Sequence, residues 1–298
     1  MSDPIETSGL RMRFGKHAAV DGLDLKISAG SVYALIGSNG AGKSTTLKVL
    51  TNIQKGYEGR AALLGVESRC VGAKELERVA YVSESQEMPE GMTVAELLAF
   101  WRPFYKRWDL AREKELLDLF RLPLDRKLKH LSRGMRMKAA LASSLAYHPE
   151  LIILDEPFTG LDPLVRDELV EALLDHASEA TILISSHDLA EMESFASHVG
   201  FLEEGKLRFS EEMSGLSQRF REVEVTVDQA DLPPALPKHW LLPQAASAVV
   251  RFVETQFDGP GLEAEVHSVF PTARHIETRP MPLRSIFVAL AKAGREAA

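Results

Sequence analysis

The run Gly37-Ser38-Asn39-Gly40-Ala41-Gly42-Lys43-Ser44, followed by Thr45, restricts this chain more than any other feature. It has the pattern G-x-x-x-x-G-K-[ST] of a phosphate-binding loop. Ser31-Val32-Tyr33-Ala34-Leu35-Ile36 before it reads as a short buried strand, and Thr46-Leu47-Lys48-Val49-Leu50 after it reads as the helix the loop opens. Glycines let the backbone curl so that several N–H groups face one point. The positive end of the helix dipole adds to the attraction for an anion. Lys43 at this spacing is suited to the β- and γ-phosphates, and the Ser44 hydroxyl is suited to Mg²⁺. A Gly-rich turn of purely structural use would not require Lys and Ser directly behind its last glycine. The motif therefore points to a nucleoside triphosphate as ligand.

A second strand end carries the next chemistry. Leu151-Ile152-Ile153-Leu154 is a continuous apolar run, as in a parallel strand buried on both faces, and it ends in Asp155-Glu156. Ligands collect at the carboxyl ends of such strands. There Asp155 is placed to hold Mg²⁺, and Glu156 is placed to orient or deprotonate an attacking water. Thr181-Ile182-Leu183-Ile184 repeats the buried pattern and leads into Ser185-Ser186-His187-Asp188. Two acids after a strand often only cap a turn, and a lone His after a strand is usually unremarkable. The phosphate loop upstream changes that balance for both.

The spacing of these pieces gives the organisation. Residues 5–36 alternate short apolar stretches with Phe14-Gly15, Asp21-Gly22 and Ala29-Gly30, as in an antiparallel β region. From Val71 to about Pro149 the periodicity is helical, with a capped start at Thr93 to Glu96 and further helices over 112–120 and 132–147. Val199 to Leu202 and Lys206 to Arg208 around Gly205 predict a closing hairpin. Beyond about Gly215 the texture changes: strands over 222–227, 248–254 and 275–279, helices over 262–270 and 283–292, and a proline-rich, irregular stretch over 231–243. The expected fold class is therefore α/β, with an antiparallel β region, a mostly parallel core sheet and a helical insertion. The expected domains are 1–215, with the insertion at about 85–149, and a small C-terminal α+β domain at 216–298.

Leu131-Ser132-Arg133-Gly134-Met135, some twenty residues before Leu151, carries a family resemblance. With the phosphate loop, Asp155-Glu156 and His187, it makes residues 5 to 215 resemble the nucleotide-binding subunit of an ATP-binding cassette (ABC) transporter, a P-loop ATPase. The family signature L-S-G-G-Q is here L-S-R-G-M. The resemblance implies ATP and Mg²⁺ as cofactors, with phosphate contacts from Gly37, Ser38, Asn39, Gly40, Ala41, Gly42, Lys43, Ser44 and Thr45. It implies stacking of Phe14 on adenine, catalysis by Glu156, His187 and Lys43, and metal ligation by Ser44 and Asp155. Ser132 and Gly134 would reach the γ-phosphate carried by a second copy, so a homodimer or cassette heterodimer is implied. Glu84 stands where the family has a loop glutamine and is the third metal candidate. Arg133 either adds positive charge near phosphate or faces solvent. The departures at Glu84, Arg133 and Met135 are similar to prokaryotic ATPases serving ABC-2 type, exporter-like permeases.

The remaining expectations concern partners and place. Net charge is -8 and no dense Lys/Arg block occurs, so no nucleic-acid surface is expected. The single cysteine, Cys70, fits a reducing compartment. No secretory signal is evident, and nowhere do about eighteen apolar residues run together. The expected location is the cytoplasmic face of the cell membrane, held there by a separate permease. The aromatic segment Phe100 to Trp108 in the insertion is either that permease's docking surface or ordinary packing. The alternative function is a soluble ABC-type switch acting on ribosomes or DNA. Such proteins usually carry a long coiled coil or two cassettes, and this chain has one phosphate loop.

Overall fold

The computed structural model describes residues 3–83, 86–177, 179–228, 232–233 and 235–296, apart from the side chains of residues 291 and 294–296. Two compact units are present, 1–210 and 211–298.

In the first unit, β1 (Ile5–Phe14) and β2 (His17–Ile27) form a hairpin whose tight turn holds Gly15 at φ 61°. The phosphate-loop strand is β3 (Val32–Ile36), followed by α1 (Lys43–Leu50). Next come β4 (Glu58–Leu63), β5 (Val66–Glu67), the short α2 (Ala73–Leu76) and β6 (Val79–Ser83). The helical region holds α3 (Val94–Trp101), α4 (Leu110–Phe120) and α5 (Arg133–Leu145). It is followed by β7 (Leu151–Asp155), α6 (Pro163–Leu174), β8 (Thr181–Ser186), β9 (His198–Glu203) and β10 (Lys206–Glu212).

Two sheets result. One is antiparallel in the order β2-β1-β4-β5, and the other runs β10-β9-β3-β8-β7-β6. In the larger sheet, β3 is parallel to β8 and β9, and β7 is parallel to β6 and β8. Every residue of β3, β7 and β8 is buried, which is why these strands read as continuous apolar runs rather than alternating ones. Residues of both sheets and α1 share one core, including Ile5, Leu10, Leu23, Leu35, Leu47, Leu50, Ile153 and Leu183. Burying a side chain of this kind contributes about 1.5–3 kcal/mol, so this core fixes the loops at the strand ends.

Local sequence explains the helix starts. Thr93 and Glu96 form the reciprocal cap of α3: the Glu96 amide donates to Thr93 Oγ1 at 3.2 Å, and the Thr93 amide donates to Glu96 Oε2 at 2.8 Å. Ser132 caps α5 by accepting from the Met135 amide at 3.2 Å. The helical reading of 71–149 needs one correction, because β6 lies inside it as the edge strand of the six-stranded sheet. Five residues are too few to express a period against helical flanks.

The second unit contains α7 (Met213–Arg219), β11 (Arg221–Thr226), β12 (Trp240–Ala246), β13 (Val249–Glu254), α8 (Pro260–Val269), β14 (His275–Pro280) and α9 (Leu283–Glu296). Its antiparallel sheet has the order β12-β13-β11-β14, with Val223, Val225, Trp240, Val250, Phe252, Leu262 and Val266 in its core. β12 corrects the irregular reading of 231–243. It includes Pro243, which a strand tolerates at an edge or a bulge. Both conditions hold: β12 is an edge strand, its register with β13 shifts between Leu241 and Gln244, and Leu242 sits at φ 50°.

Candidate active site

The strand ends β3, β7 and β8 meet around the N-terminus of α1. The loop before α1 is held in place by close backbone packing. A Cβ on Gly42, which has φ 104°, would lie 2.2 Å from the Ala19 carbonyl oxygen, and one on Gly37 would lie 2.3 Å from that of Leu202. Only glycine fits at these two positions. A cavity of about 420 Å³ opens over the loop, lined by Phe14, His17, Ala19, Asn39, Gly40, Ala41, Gly42, Lys43, Ser44, Thr45 and Glu156.

Lys43 is buried and its ammonium group points along the loop. It donates to the carbonyls of Gly37 at 2.6 Å and Ser38 at 3.2 Å, and it lies 3.0 Å from Glu156 Oε1. The other carboxylate oxygen of Glu156 accepts from His187 Nδ1 at 2.8 Å and from the Thr159 hydroxyl at 3.0 Å. Burial alone would raise the Glu156 carboxyl. The contacts with His187, Lys43 and Thr159 outweigh it and hold the group below its ordinary value. Glu156 is therefore an anion at neutral pH, able to accept a proton or orient water. Its backbone is left-handed, at φ 52°.

Asp155 faces the other side of the same mouth. Its Oδ1 accepts from Ser44 Oγ at 2.8 Å and from Ser185 Oγ at 2.7 Å. A hydroxyl at a helix N-terminus beside a carboxylate is a pair of hard oxygen donors of the kind Mg²⁺ prefers, so these residues fit that ion. The concave loop, the Lys43 cation and the α1 N-terminus fit a polyphosphate.

Of the residues expected from sequence, Phe14, Asn39 to Thr45 and Glu156 line one cavity, with Gly37, Ser38, Asp155 and His187 joined to it by the contacts above. Phe14 is 48% exposed at the end of β1. Ser132 and Gly134 are not part of that lining; they stand at the start of α5, where a Cβ on Gly134 would lie 3.0 Å from Val165 of α6. The Arg133 guanidinium lies against Gly160, 3.0 Å from where a Cβ would be, in the loop leading to α6. Glu84 lies outside the described residues.

Three side chains at the site escaped the sequence reading. His17 reaches the cavity because the hairpin register pairs it with Phe14. Thr159 reaches Glu156 across the turn after β7. Ser185 reaches Asp155 because the two are partners in the β7–β8 register. Thr159 and His17 each stand three residues from an expected residue, Glu156 and Phe14, and so left a local signal.

In the helical region, the expected aromatic segment divides in two. Tyr105 stacks on Tyr147 with ring centroids 3.8 Å apart, and Trp108 Nε1 donates to Glu113 Oε2 at 2.8 Å. Phe100 and Phe104 remain exposed. A second cavity of about 220 Å³ is lined by Ile53, Leu76, Tyr81, Gln86, Trp101 and Tyr105 among others. No described helix is long and apolar enough to cross a membrane.

Comparison with known proteins agrees with this geometry. The family model described as "ABC transporter" matches residues 20–159. The daunorubicin/doxorubicin resistance ATP-binding protein DrrA of Streptomyces peucetius is 37% identical over 68% of this chain and 63% of its own length, so the chain spans less than two thirds of that relative. The Nod factor export ATP-binding protein I of Burkholderia lata is 37% identical over 68% of this chain and 69% of its own. A solved structure described as an ATP-binding subunit of an ABC transporter superposes with a TM-score of 0.66 at 28% identity, covering 72% of this chain and 92% of that one. A loop built for polyphosphate, joined to two carboxylates and a histidine at neighbouring strand ends, in a sequence with these relatives, means that the chain belongs to the ABC transporter family as one of its ATP-binding proteins.

Proposed function

We propose that the chain is the ATP-hydrolysing subunit of an ABC exporter, closing as a dimer on ATP to drive a separate membrane permease. The observation that carries this reading is the Lys43–Glu156–His187 cluster beside the Ser44–Asp155 pair. The loop amides and Lys43 bind the β- and γ-phosphates, and Phe14 stacks on the base. Ser44 and Asp155, with Glu84 as a further candidate, would hold Mg²⁺, which would supply charge neutralisation on the phosphates. Glu156 orients the attacking water and accepts its proton. His187 and Lys43 stabilise charge that develops on the γ-phosphoryl group. His187 also holds the Glu156 carboxylate by donating to it, which keeps the base aimed while its pKa stays low.

Ser132 and Gly134 complete the site from a second copy. Their position at the start of α5, outside the cavity lining, supports a site shared between two chains. ATP then joins two chains and hydrolysis separates them, a population shift driven by differential affinity. Docking of the permease on the helical region is supported by exposed Phe100 and Phe104 and by the cavity beside Trp101. Location at the cytoplasmic face of the membrane follows from that partner. Export, rather than import, is supported by the likeness to the Nod factor export protein.

Two arms of one experiment test the reading. Glu156→Gln keeps the shape of the site and removes the base, so ATP binding is expected to persist while turnover falls by at least about a hundredfold, within the range for loss of a general base. The tagged variant, incubated with ATP and Mg²⁺ in detergent extracts of native membranes, should then retain a polytopic membrane protein identified by mass spectrometry. Turnover near wild type removes the catalytic assignment. Recovery of ribosomes or nucleic acid in place of a membrane protein removes transport and leaves the soluble switch.

A further inference from the structure

Ser185 sits on β8 between the phosphate-loop strand and the strand that carries the two acids. Its partners in the parallel registers are Leu35 on β3 and Asp155 on β7. The residue is fully buried, and its hydroxyl makes two contacts that no other described group in the site combines. It donates to Asp155 Oδ1 at 2.7 Å, and it accepts the backbone N–H of Glu156 at 3.0 Å. The Ser185 carbonyl receives the same N–H at 3.2 Å. One side chain therefore orients the Asp155 carboxylate and pins the Glu156 backbone in the left-handed conformation that turns its side chain toward Lys43 and His187.

We infer that Ser185 is a positioning residue for both carboxylates, setting metal affinity through Asp155 and the aim of the base through Glu156; this rests on the proposed Mg²⁺-dependent ATP hydrolysis. The two hydroxyls on Asp155 Oδ1 differ in what they are free to do. Ser44 also donates to that oxygen, at 2.8 Å, but it stands on α1 at the loop, where it serves as a metal ligand in the proposed reaction. Were Ser44 to turn to the metal, Ser185 would be the donor that keeps Asp155 in place. Groups that hold a ligand from behind in this way matter about tenfold to a hundredfold in metal affinity or activity.

The test compares wild type with Ser185→Ala, using Mn²⁺ with ADP followed by electron paramagnetic resonance, and ATP turnover at saturating Mg²⁺. ADP binding in the presence of a chelator is measured alongside. Ser185→Ala is expected to weaken Mn²⁺ binding and to slow turnover, each by about tenfold or more, while metal-free ADP binding stays close to wild type and the melting temperature falls by the few degrees that loss of a buried hydroxyl costs. A merely structural serine would leave the Mn²⁺ midpoint of the folded protein where it was. If the alanine variant does not fold, Ser185→Cys, close to serine in volume but a weak donor, should show the same loss in smaller measure. Mn²⁺ binding and turnover within about twofold of wild type in the folded variant overturn the assignment and leave the site reading intact. A wild-type chain that neither binds Mn²⁺ with ADP nor turns over ATP removes the site reading, and this assignment with it.

Discussion

Replacing Gly37, Gly40 and Gly42 by alanine, one at a time, adds the same methyl group in three physically different settings. At Gly40 the backbone is left-handed, φ 82°, but nothing lies within 4 Å of the new carbon. The cost is then conformational alone, about 1–2 kcal/mol for an L-residue in that region. At Gly37 the new carbon would stand 2.3 Å from the Leu202 carbonyl oxygen, and it must retreat to at least about 3.0 Å, the closest approach real Cβ atoms tolerate. Both sides of that contact are backbone, on the paired strands β3 and β9 or directly beside them, so neither gives easily. The expected cost is about 3 kcal/mol, the upper end of overpacking. Gly42 combines a 2.2 Å approach to Ala19 with φ 104°, and the two penalties together come to about 4–5 kcal/mol. In a unit of this size each kcal/mol lowers the melting temperature by about 2–4 °C. Differential scanning calorimetry should therefore rank the variants Gly40→Ala, Gly37→Ala, Gly42→Ala in order of increasing loss, the last by about 8–20 °C. Nucleotide binding, measured by calorimetry below each melting point, should fail first in Gly42→Ala, whose loop must shift under Lys43. A Gly37→Ala protein that melts no lower than Gly40→Ala would refute the packing argument.

Two further perturbations probe other links. In the second unit, Glu254 is a buried carboxylate held by Trp240 Nε1 at 2.8 Å. Trp240→Phe should cost about 1–3 kcal/mol in urea unfolding followed by circular dichroism, because a buried acceptor loses its donor; a change below about 0.5 kcal/mol would show that the bond is dispensable. In the first unit, burial lowers the pKa of His176, aided by the charges of Arg112 and His148. The unfolded chain then takes up a proton at higher pH than the folded one, so stability is full above about pH 6.5 and is lost as pH falls from there toward the folded value. The urea midpoint of wild type relative to His176→Gln should shrink between pH 7.5 and pH 5.5, and a constant difference would exclude this histidine as the cause.

How far the sequence revealed the molecule depends on how local each feature is. The phosphate loop was legible because eight contiguous residues carry all its chemistry. The buried strands β3, β7 and β8 were legible because they are apolar on both faces. β12 was misread because proline argues against a strand unless the strand is known to lie at an edge, and that depends on pairing with β13. Ser185 was missed for the same kind of reason: it stands two residues before His187, but its link to Asp155 comes from the pairing of β7 with β8. His17 lies just across the hairpin turn from Phe14 and was local enough to be found. Register is a non-local property, set by which strands pair and how they are offset, so no window of sequence contains it.

The adjacency of Asp155 and Glu156 poses a geometric problem that the fold answers. Successive residues of a strand point to opposite faces, so two neighbouring acids cannot both serve one site while the strand continues. β7 ends at Asp155, still in register with Ser185 and aimed at Ser44. Glu156 then steps into the left-handed region, and its side chain comes round to the same mouth, against Lys43. Lys43 and Ser44 are themselves neighbours at the start of a helix, so consecutive residues of the loop meet consecutive residues of the strand end. This pairing separates two tasks that a single carboxylate would confuse. Asp155 is held by hydroxyl donors, which leave a carboxylate available to a metal, whereas Glu156 is held by a cation and an imidazole, which keep it ionised. The left-handed turn costs about 1–2 kcal/mol, and bonds from its N–H to both the hydroxyl and the carbonyl of Ser185 offset that strain at the point where the proposed base must be aimed.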